Sequence, residues 1–139
     1  MSIDLYSKFT SEILIRPDDI DMNNHVHFSK YLDFVLAARY EQMGRDYKVS
    51  MEEFIEMRYN WIASSMHINY KRALKLGEIA LIKTQVDSFN GAQVTVNFWI
   101  NNKKNNKLAA DGYGVFTLLN IDNGRPTRIP QKILDKYSI

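Results

Sequence analysis

The sequence predicts an α+β fold, with one long helix packed against an antiparallel sheet of about five strands. Three observations carry this reading. Apolar residues recur at steps of three and four in one long segment, residues 28–43. Later segments alternate apolar and polar residues with period two, as half-buried strands do. Asn-Gly pairs at 90–91 and 123–124 punctuate those segments as turns. Strands and helices do not alternate along the chain, which argues against a doubly wound parallel sheet. The 6 glycines are scattered without G-x-G-x-x-G or Walker spacing, so a nucleotide-type phosphate loop is excluded.

Taken in order, Glu12 to Arg16 reads as a first strand, with Ile13 and Ile15 on one face. Pro17 to Asn24 fits neither period and reads as a loop. The helix follows, its apolar stripe formed by Phe28, Leu32, Val35, Leu36, Tyr40 and Met43, with Gly44 as its stop. Ser50 and Glu53 have the spacing of a capping box and start a short second helix. From Tyr59 to Tyr70 the period is two, with Ile62, Met66, Ile68 and Tyr70 alternating with Trp61, Ala63, Ser65, His67 and Asn69. Ile79 to Ser88 is the next strand. Asn90-Gly91 predicts a type I′ hairpin into a strand whose inner face is Val94, Val96, Phe98 and Ile100. The polar run from Asn101 to Lys107 is a hairpin loop. Leu108 to Leu119 is the last strand, and its Gly112 and Gly114 predict a bulge or a close backbone approach. Pro130 to Tyr137 is a terminal helical turn. The last four strands are expected to form a consecutive meander.

Size and composition bound the function. The chain has 139 residues and 16.2 kDa, which fits a single domain spanning residues 1–139. Hydrophobic residues make up 45% and charged residues 24%, an ordinary globular balance. With no cysteine, thiol nucleophiles and Cys-rich zinc sites are excluded. A net charge of +2 gives no electrostatic footprint for nucleic acid. The N-terminal stretch lacks a basic region followed by an apolar run, and no segment is apolar enough to span a membrane. A soluble cytoplasmic protein without a membrane span is the expectation.

The chemistry concentrates in residues 18–27, Asp-Asp-Ile-Asp-Met-Asn-Asn-His-Val-His. Three carboxylates, two amides and two imidazoles stand just before the long helix. Such residues can cap a helix, satisfying free N–H groups at its positive end. They can equally form a catalytic loop. Spacing alone leaves both readings open. A metal site from Asp21, His25 and His27 lacks a nearby third histidine, and a triad from Ser64 or Ser65 with His67 and Asp21 lacks a G-x-S-x-G elbow.

The run Arg16, Asp19, Asp21, His25-Val26, Tyr31-Leu32, leading into a helix with Ala38-Arg39, resembles the hotdog-fold acyl-CoA thioesterases. The similarity is greatest to the 4-hydroxybenzoyl-CoA thioesterase-like family, and extends to plant acyl-carrier-protein thioesterases around Asp21-Met22-Asn23. Asn69-Tyr70-Lys71-Arg72, Gly77-Glu78, Arg125-Pro126 and Ile129-Pro130 are also familial. The resemblance implies a hotdog fold, in which a curved antiparallel sheet wraps a central helix. It implies hydrolysis of a thioester of coenzyme A or acyl carrier protein, with water as second reactant and no cofactor. A homodimer or homotetramer is implied too, because hotdog active sites lie at dimer interfaces.

By position, the resemblance makes Asp21 the catalytic carboxylate, either attacking the thioester carbonyl or activating water. It makes His25 and Asn24 catalytic-loop partners. Backbone N–H groups near His27 and Phe28 would hold the oxyanion. Tyr31, Lys71 and Arg72 are expected to bind substrate. The basic run that some relatives use for coenzyme A phosphates reads Phe89-Asn90-Gly91-Ala92-Gln93 here, which leaves Lys71, Arg72 and Lys75 as alternative phosphate partners. Leu36 stands where the hydroxybenzoyl enzyme has a second carboxylate, which favours a medium or long aliphatic acyl group. Two rival readings are an enoyl-thioester hydratase on the same fold and a non-catalytic acyl-thioester binding module. The chain lacks the glycine and proline of the hydratase loop G-D-x-N-P-x-H.

Overall fold

The computed structural model describes residues 6–139; the first five residues of the N-terminal stretch lie outside the described residues. The elements run β1 (Lys8–Leu14), a single 3-10 turn (Pro17–Asp19), α1 (Lys30–Arg45), α2 (Met51–Glu56), β2 (Tyr59–Tyr70), β3 (Ile79–Asn90), β4 (Gln93–Asn102), β5 (Leu108–Asn120) and α3 (Gln131–Tyr137). The five strands form one antiparallel sheet in the order β1-β3-β4-β5-β2. Helix α1 lies on one face of it. The alternation in β4 is complete: Val94, Val96, Phe98 and Ile100 are all buried beneath the helices.

The sheet differs from a simple meander. Only β3, β4 and β5 follow in sequence order; β2 pairs with β5 at the far edge, and β1 pairs with β3. Residues 71–78 therefore cross three strand spacings, roughly 14 Å. This crossover runs along the end of the sheet where α1 begins. There it bonds both the sheet and the polar loop: Lys71 and Arg72 N–H donate to Ala109 O at 2.7 and 3.0 Å, and Val26 N–H donates to Leu74 O at 2.8 Å.

The helix is rotated from the expected stripe. Its buried face is Tyr31, Phe34, Val35, Ala38, Arg39, Gln42 and Met43, whereas Phe28, Leu36 and Tyr40 are exposed. The expected stripe is too broad because α1 carries apolar side chains on two faces, and Leu36 and Tyr40 stand on the one that stays exposed. Gln42 is buried because the sheet supplies its partners. Its amide donates to Ser11 Oγ at 3.1 Å, and Thr84 Oγ1 donates to its carbonyl. Gly44 does not end α1. The helix runs on to Arg45, whose guanidinium ties back to Glu41, Asp46 and Thr10 O.

Two strand details also depart from expectation. A bulge at Ser64 flips the side-chain alternation of β2. Tyr59 and Trp61 before it and Met66 and Ile68 after it face the core, while Ile62 faces outward. The β3–β4 turn is shifted by one residue: Asn90 pairs with Gln93, and the two-residue loop is Gly91-Ala92, with only Gly91 at positive φ (62°). The close approach expected at Gly112 and Gly114 is present, as the two residues pair with Ile68 and Met66 of β2. The capping box at Ser50 and Glu53 forms at α2.

Candidate active site

The polar loop is a small closed unit before α1. Ile20 and Val26 form an antiparallel bridge, and between them Asp21 N–H donates to His25 O at 2.8 Å. Asn24 takes the left-handed conformation (φ 58°) that reverses the chain, which a short polar side chain tolerates. Its Oδ1 accepts Leu76 N–H at 3.1 Å, so the loop tip is pinned to the crossover.

The three carboxylates have separate fates. Asp18 is exposed and pairs with Arg16 at 3.6 Å. Asp19 is buried; its Oδ2 accepts Arg16 N–H at 2.9 Å and its backbone carbonyl accepts His27 N–H at 2.8 Å. Its role is to shape the loop. Asp21 stays exposed, and its Oδ1 accepts two backbone N–H groups, from Asn23 at 2.8 Å and His25 at 3.1 Å. These bonds, the His25 one foremost, hold its carboxyl below the usual carboxylate range. The loop carboxylates thus do not cap α1: Ser29 at its N-cap makes no capping bond.

Of the two amides expected to hold an oxyanion, His27 N–H is already spent on Asp19 O. Phe28 N–H makes no hydrogen bond among the described residues. The His27 ring turns toward Ser29: Ser29 N–H donates to Nδ1 at 3.2 Å, and Ser29 Oγ lies 2.8 Å from the same nitrogen. A backbone amide can only donate, so in the neutral ring Nδ1 is the acceptor and Nε2 carries the proton.

An aromatic chain links the loop to the core. His27 stacks on Phe28 at 4.7 Å, Phe28 meets Tyr70 edge-on at 6.3 Å, and Tyr70 meets Tyr31 at 5.2 Å. Tyr70 Oη donates to Phe28 O at 3.0 Å, which fixes the helix entrance against β2. In the sequence Tyr70 belongs to the run Asn69-Tyr70-Lys71-Arg72 and to the alternation of β2, with no site role expected of it. Tyr31 lies inside this core rather than on the surface, and burial pushes its hydroxyl above its ordinary range. Lys71, Arg72 and Lys75 are exposed on the crossover, at the same end as the loop, and Arg72 Nη1 donates to Leu108 O at 3.1 Å.

The remaining combinations do not assemble. Ser64 is bonded to Thr117, and His67 stacks on Tyr113 at 5.2 Å. Among the described residues, no three His, Asp or Glu side chains converge to hold a metal ion.

A cavity of about 320 Å³ opens further down α1, walled by Leu36, Tyr40, Met51, Trp61 and Phe116, with Arg39 also in its lining. It begins beyond the loop: Leu36 is eight residues past Phe28, about 12 Å along a helix. In the sequence Arg39 stands out only as part of the Ala38-Arg39 motif and as a charge among the apolar residues of α1.

The chain is 21% identical over 126 residues to the long-chain acyl-CoA thioesterase FadM of Escherichia coli, covering 91% of this chain and 94% of FadM. Its fold matches that of a DHNA-CoA thioesterase from Staphylococcus aureus with a TM-score of 0.84, at 20% identity, covering 92% of this chain and 85% of that one. It also matches a 1,4-dihydroxy-2-naphthoyl-CoA thioesterase from Synechocystis with a TM-score of 0.83, at 16% identity, covering 94% and 96%. The helix on a five-stranded antiparallel sheet is thus the hotdog fold. Residues 15–137 match the family model of the thioesterase-like superfamily, and the chain belongs to that superfamily.

Proposed function

We propose that this protein hydrolyses acyl-CoA thioesters, with Asp21 as the reacting carboxylate. The observation that carries the reading is an exposed carboxylate held ionised by two backbone N–H groups, in the loop that ends at a hydrogen-bond-free amide, Phe28 N–H. An ionised carboxylate can attack a thioester carbonyl or take a proton from water. An amide at a helix entrance can receive the oxygen on which charge develops, aided by the positive end of α1. Collapse of the tetrahedral species then expels the thiolate. Where Asp21 took the proton from water, it passes that proton to the thiolate and the acid leaves. Where Asp21 attacked, water then cleaves the acyl-Asp21 anhydride, supplying the acid's oxygen and the thiol's proton.

The other loop residues act through position. Asn24 holds the loop tip to the crossover, and His25 supplies the N–H that Asp21 accepts. Tyr31 supports Tyr70 from beneath. Lys71, Arg72 and Lys75 offer positive charge for the coenzyme A phosphates from the crossover. The apolar cavity along α1 supports an aliphatic acyl group, since burying each CH₂ contributes about 0.8 kcal/mol. Membership of the thioesterase-like superfamily and the likeness to FadM support the same reaction.

The reading extends to a homodimer or homotetramer. Phe28, Leu36, Tyr40, Ile55 and Ile62 are exposed apolar side chains on the helix entrance, α1, α2 and edge strand β2. A solution mass of two or four times 16.2 kDa by light scattering is expected, and a monomeric mass would contradict it. The function is tested with acetyl-, octanoyl-, palmitoyl- and 4-hydroxybenzoyl-CoA, following release of free thiol. Hydrolysis fastest for an aliphatic chain longer than acetyl is expected. No thiol release from any of the four would overturn the assignment.

A further inference from the structure

The cavity beside α1 has a buried arginine in its lining. Arg39 is 6% exposed, and among the described residues no carboxylate pairs with it. Its guanidinium lies over the rings of Tyr47, Tyr137 and Phe116 at 5.5, 5.8 and 5.9 Å. Those faces offset part of the desolvation of the ion but accept no conventional hydrogen bond. Arg39 Nη1, Tyr47 Oη, Tyr137 Oη and Trp61 Nε1 are buried and none makes a hydrogen bond of good geometry, although Arg39 faces both hydroxyls and Trp61 faces that of Tyr137.

These four groups share one deficiency. The guanidinium and the indole only donate, and each phenol carries a further O–H. Burial keeps both phenols protonated, pushing Tyr47 up and Tyr137 up to about 12. The cluster is rich in donors and positive charge and short of acceptors. Arg39 and Trp61 both line the 320 Å³ cavity, but Arg39 Nη1 and Trp61 Nε1 are themselves closed off, so an acceptor in the cavity reaches them only when the lining side chains shift.

We propose that this cavity binds a carboxylate carried on an aliphatic chain, with Arg39 and Trp61 taking the carboxylate and the apolar wall taking the methylenes. A carboxylate accepts only, and its two oxygens match the fork of a guanidinium. The wall of Leu36, Tyr40, Met51 and Phe116 suits a hydrocarbon attached to it. Arg39 is eleven residues past Phe28, about 16 Å along the helix. On the acyl-CoA reading above, on which this inference rests, that distance places the carboxylate at the far end of an acyl chain whose thioester is held at the loop. The same chemistry is present in a free fatty acid, entering by its head.

Two measurements test the site. The first compares kcat/KM for decanoyl-CoA and its ω-carboxylated counterpart in the wild type and in Arg39→Met. Dividing one substrate by the other removes any general effect of altered packing. The ratio in favour of the ω-carboxylated substrate is expected to fall about tenfold or more in the variant, through KM. The second uses Trp99→Phe, which leaves Trp61 as the single tryptophan, since the chain has 2. Trp99 lies on a separate groove with His67 and Tyr113, away from the cavity. Decanoate is expected to change Trp61 fluorescence saturably, and decanol is not.

This second arm needs no hydrolysis and keeps Arg39 intact, so it decides the matter if Arg39→Met does not fold. A shifted ratio assigns the site to the acyl tail, and decanoate-selective binding alone assigns it to free fatty acids. Selective binding by a protein that hydrolyses neither thioester sinks the thioesterase reading and leaves the site standing. Equal responses to decanoate and decanol, with an unchanged ratio in any folded variant, overturn the proposal.

Discussion

Asp21 and His25 are bonded to each other twice: Asp21 N–H donates to His25 O at 2.8 Å, and His25 N–H donates to Asp21 Oδ1 at 3.1 Å. The side-chain bond needs an acceptor oxygen but not a charge. Asp21→Asn keeps an oxygen at that position and removes only the ionisation. It is expected to fold with stability within about 0.5 kcal/mol of wild type, as exposed substitutions usually do. Its turnover of acyl-CoA is expected to fall by at least ~10²-fold. Thermal melting and thiol release measure the two quantities. A folded variant with near-normal turnover would remove Asp21 from the reaction.

The same bonds set the acid side of the pH profile. With His25 and Asn23 N–H groups pointing at it, Asp21 ionises below its ordinary 3.8. In the proposed reaction the ionised form reacts, so activity is expected to persist as pH falls until the lowered value is reached. The acid limb of kcat/KM is therefore expected below pH 3.8. A limb centred near ~6.5 would point to a histidine as the essential group instead.

The pairing of β5 with β2 leaves unequal room at its two glycines. A Cβ on Gly112 would stand 1.9 Å from His67 O, a backbone atom of the neighbouring strand. A Cβ on Gly114 would stand 2.6 Å from Met66 Sδ, part of a side chain that can swing aside. Gly112→Ala is expected to cost at least the ~1–3 kcal/mol typical of overpacking, and Gly114→Ala less. Urea midpoints compare them, and equal shifts would contradict the argument.

Stability at alkaline pH is expected to depend on Tyr137. Burial raises its hydroxyl from 10.0 to about 12. Below pH 10.0 the phenol is neutral in both folded and unfolded chains. Above it the unfolded chain loses the proton first, so folding stability declines as pH rises toward the folded value. The slope approaches ~1.4 kcal/mol per pH unit. Tyr137→Phe removes this contribution, so its melting temperature should fall less than the wild type's between pH 10 and about 12. Parallel declines for the two proteins would show that Tyr137 does not titrate in this window.

Much of the architecture was legible in one dimension because local periodicity survives folding. The alternation of Val94, Val96, Phe98 and Ile100 needed only the two-residue period of a strand, and the capping box at Ser50 and Glu53 needed only three residues of spacing. The helix was found, but not its phase. Leu36 is as apolar as Val35, and only the position of the sheet decides which of them it covers. Likewise, nothing in the run from Trp61 to Met66 announces the bulge at Ser64, because a bulge is set by the register against β5.

The candidate site divides along the same line. Sequence by itself determined that Asp21 stands in a dense polar loop before a long helix, and motif likeness singled it out from its neighbours. Tertiary structure decided the rest. Asp19 is buried under the loop while Asp21 is exposed, although both are aspartates two residues apart. His27 N–H is spent on Asp19 O and Phe28 N–H is left open. Arg39 lies among aromatic rings contributed by Tyr47, Phe116 and Tyr137, from three separate parts of the chain. Each of these outcomes depends on which distant backbone or side chain arrives to meet a group. Local spacing carries no record of such partners, because they are brought together by strand order and by the crossover that holds the loop.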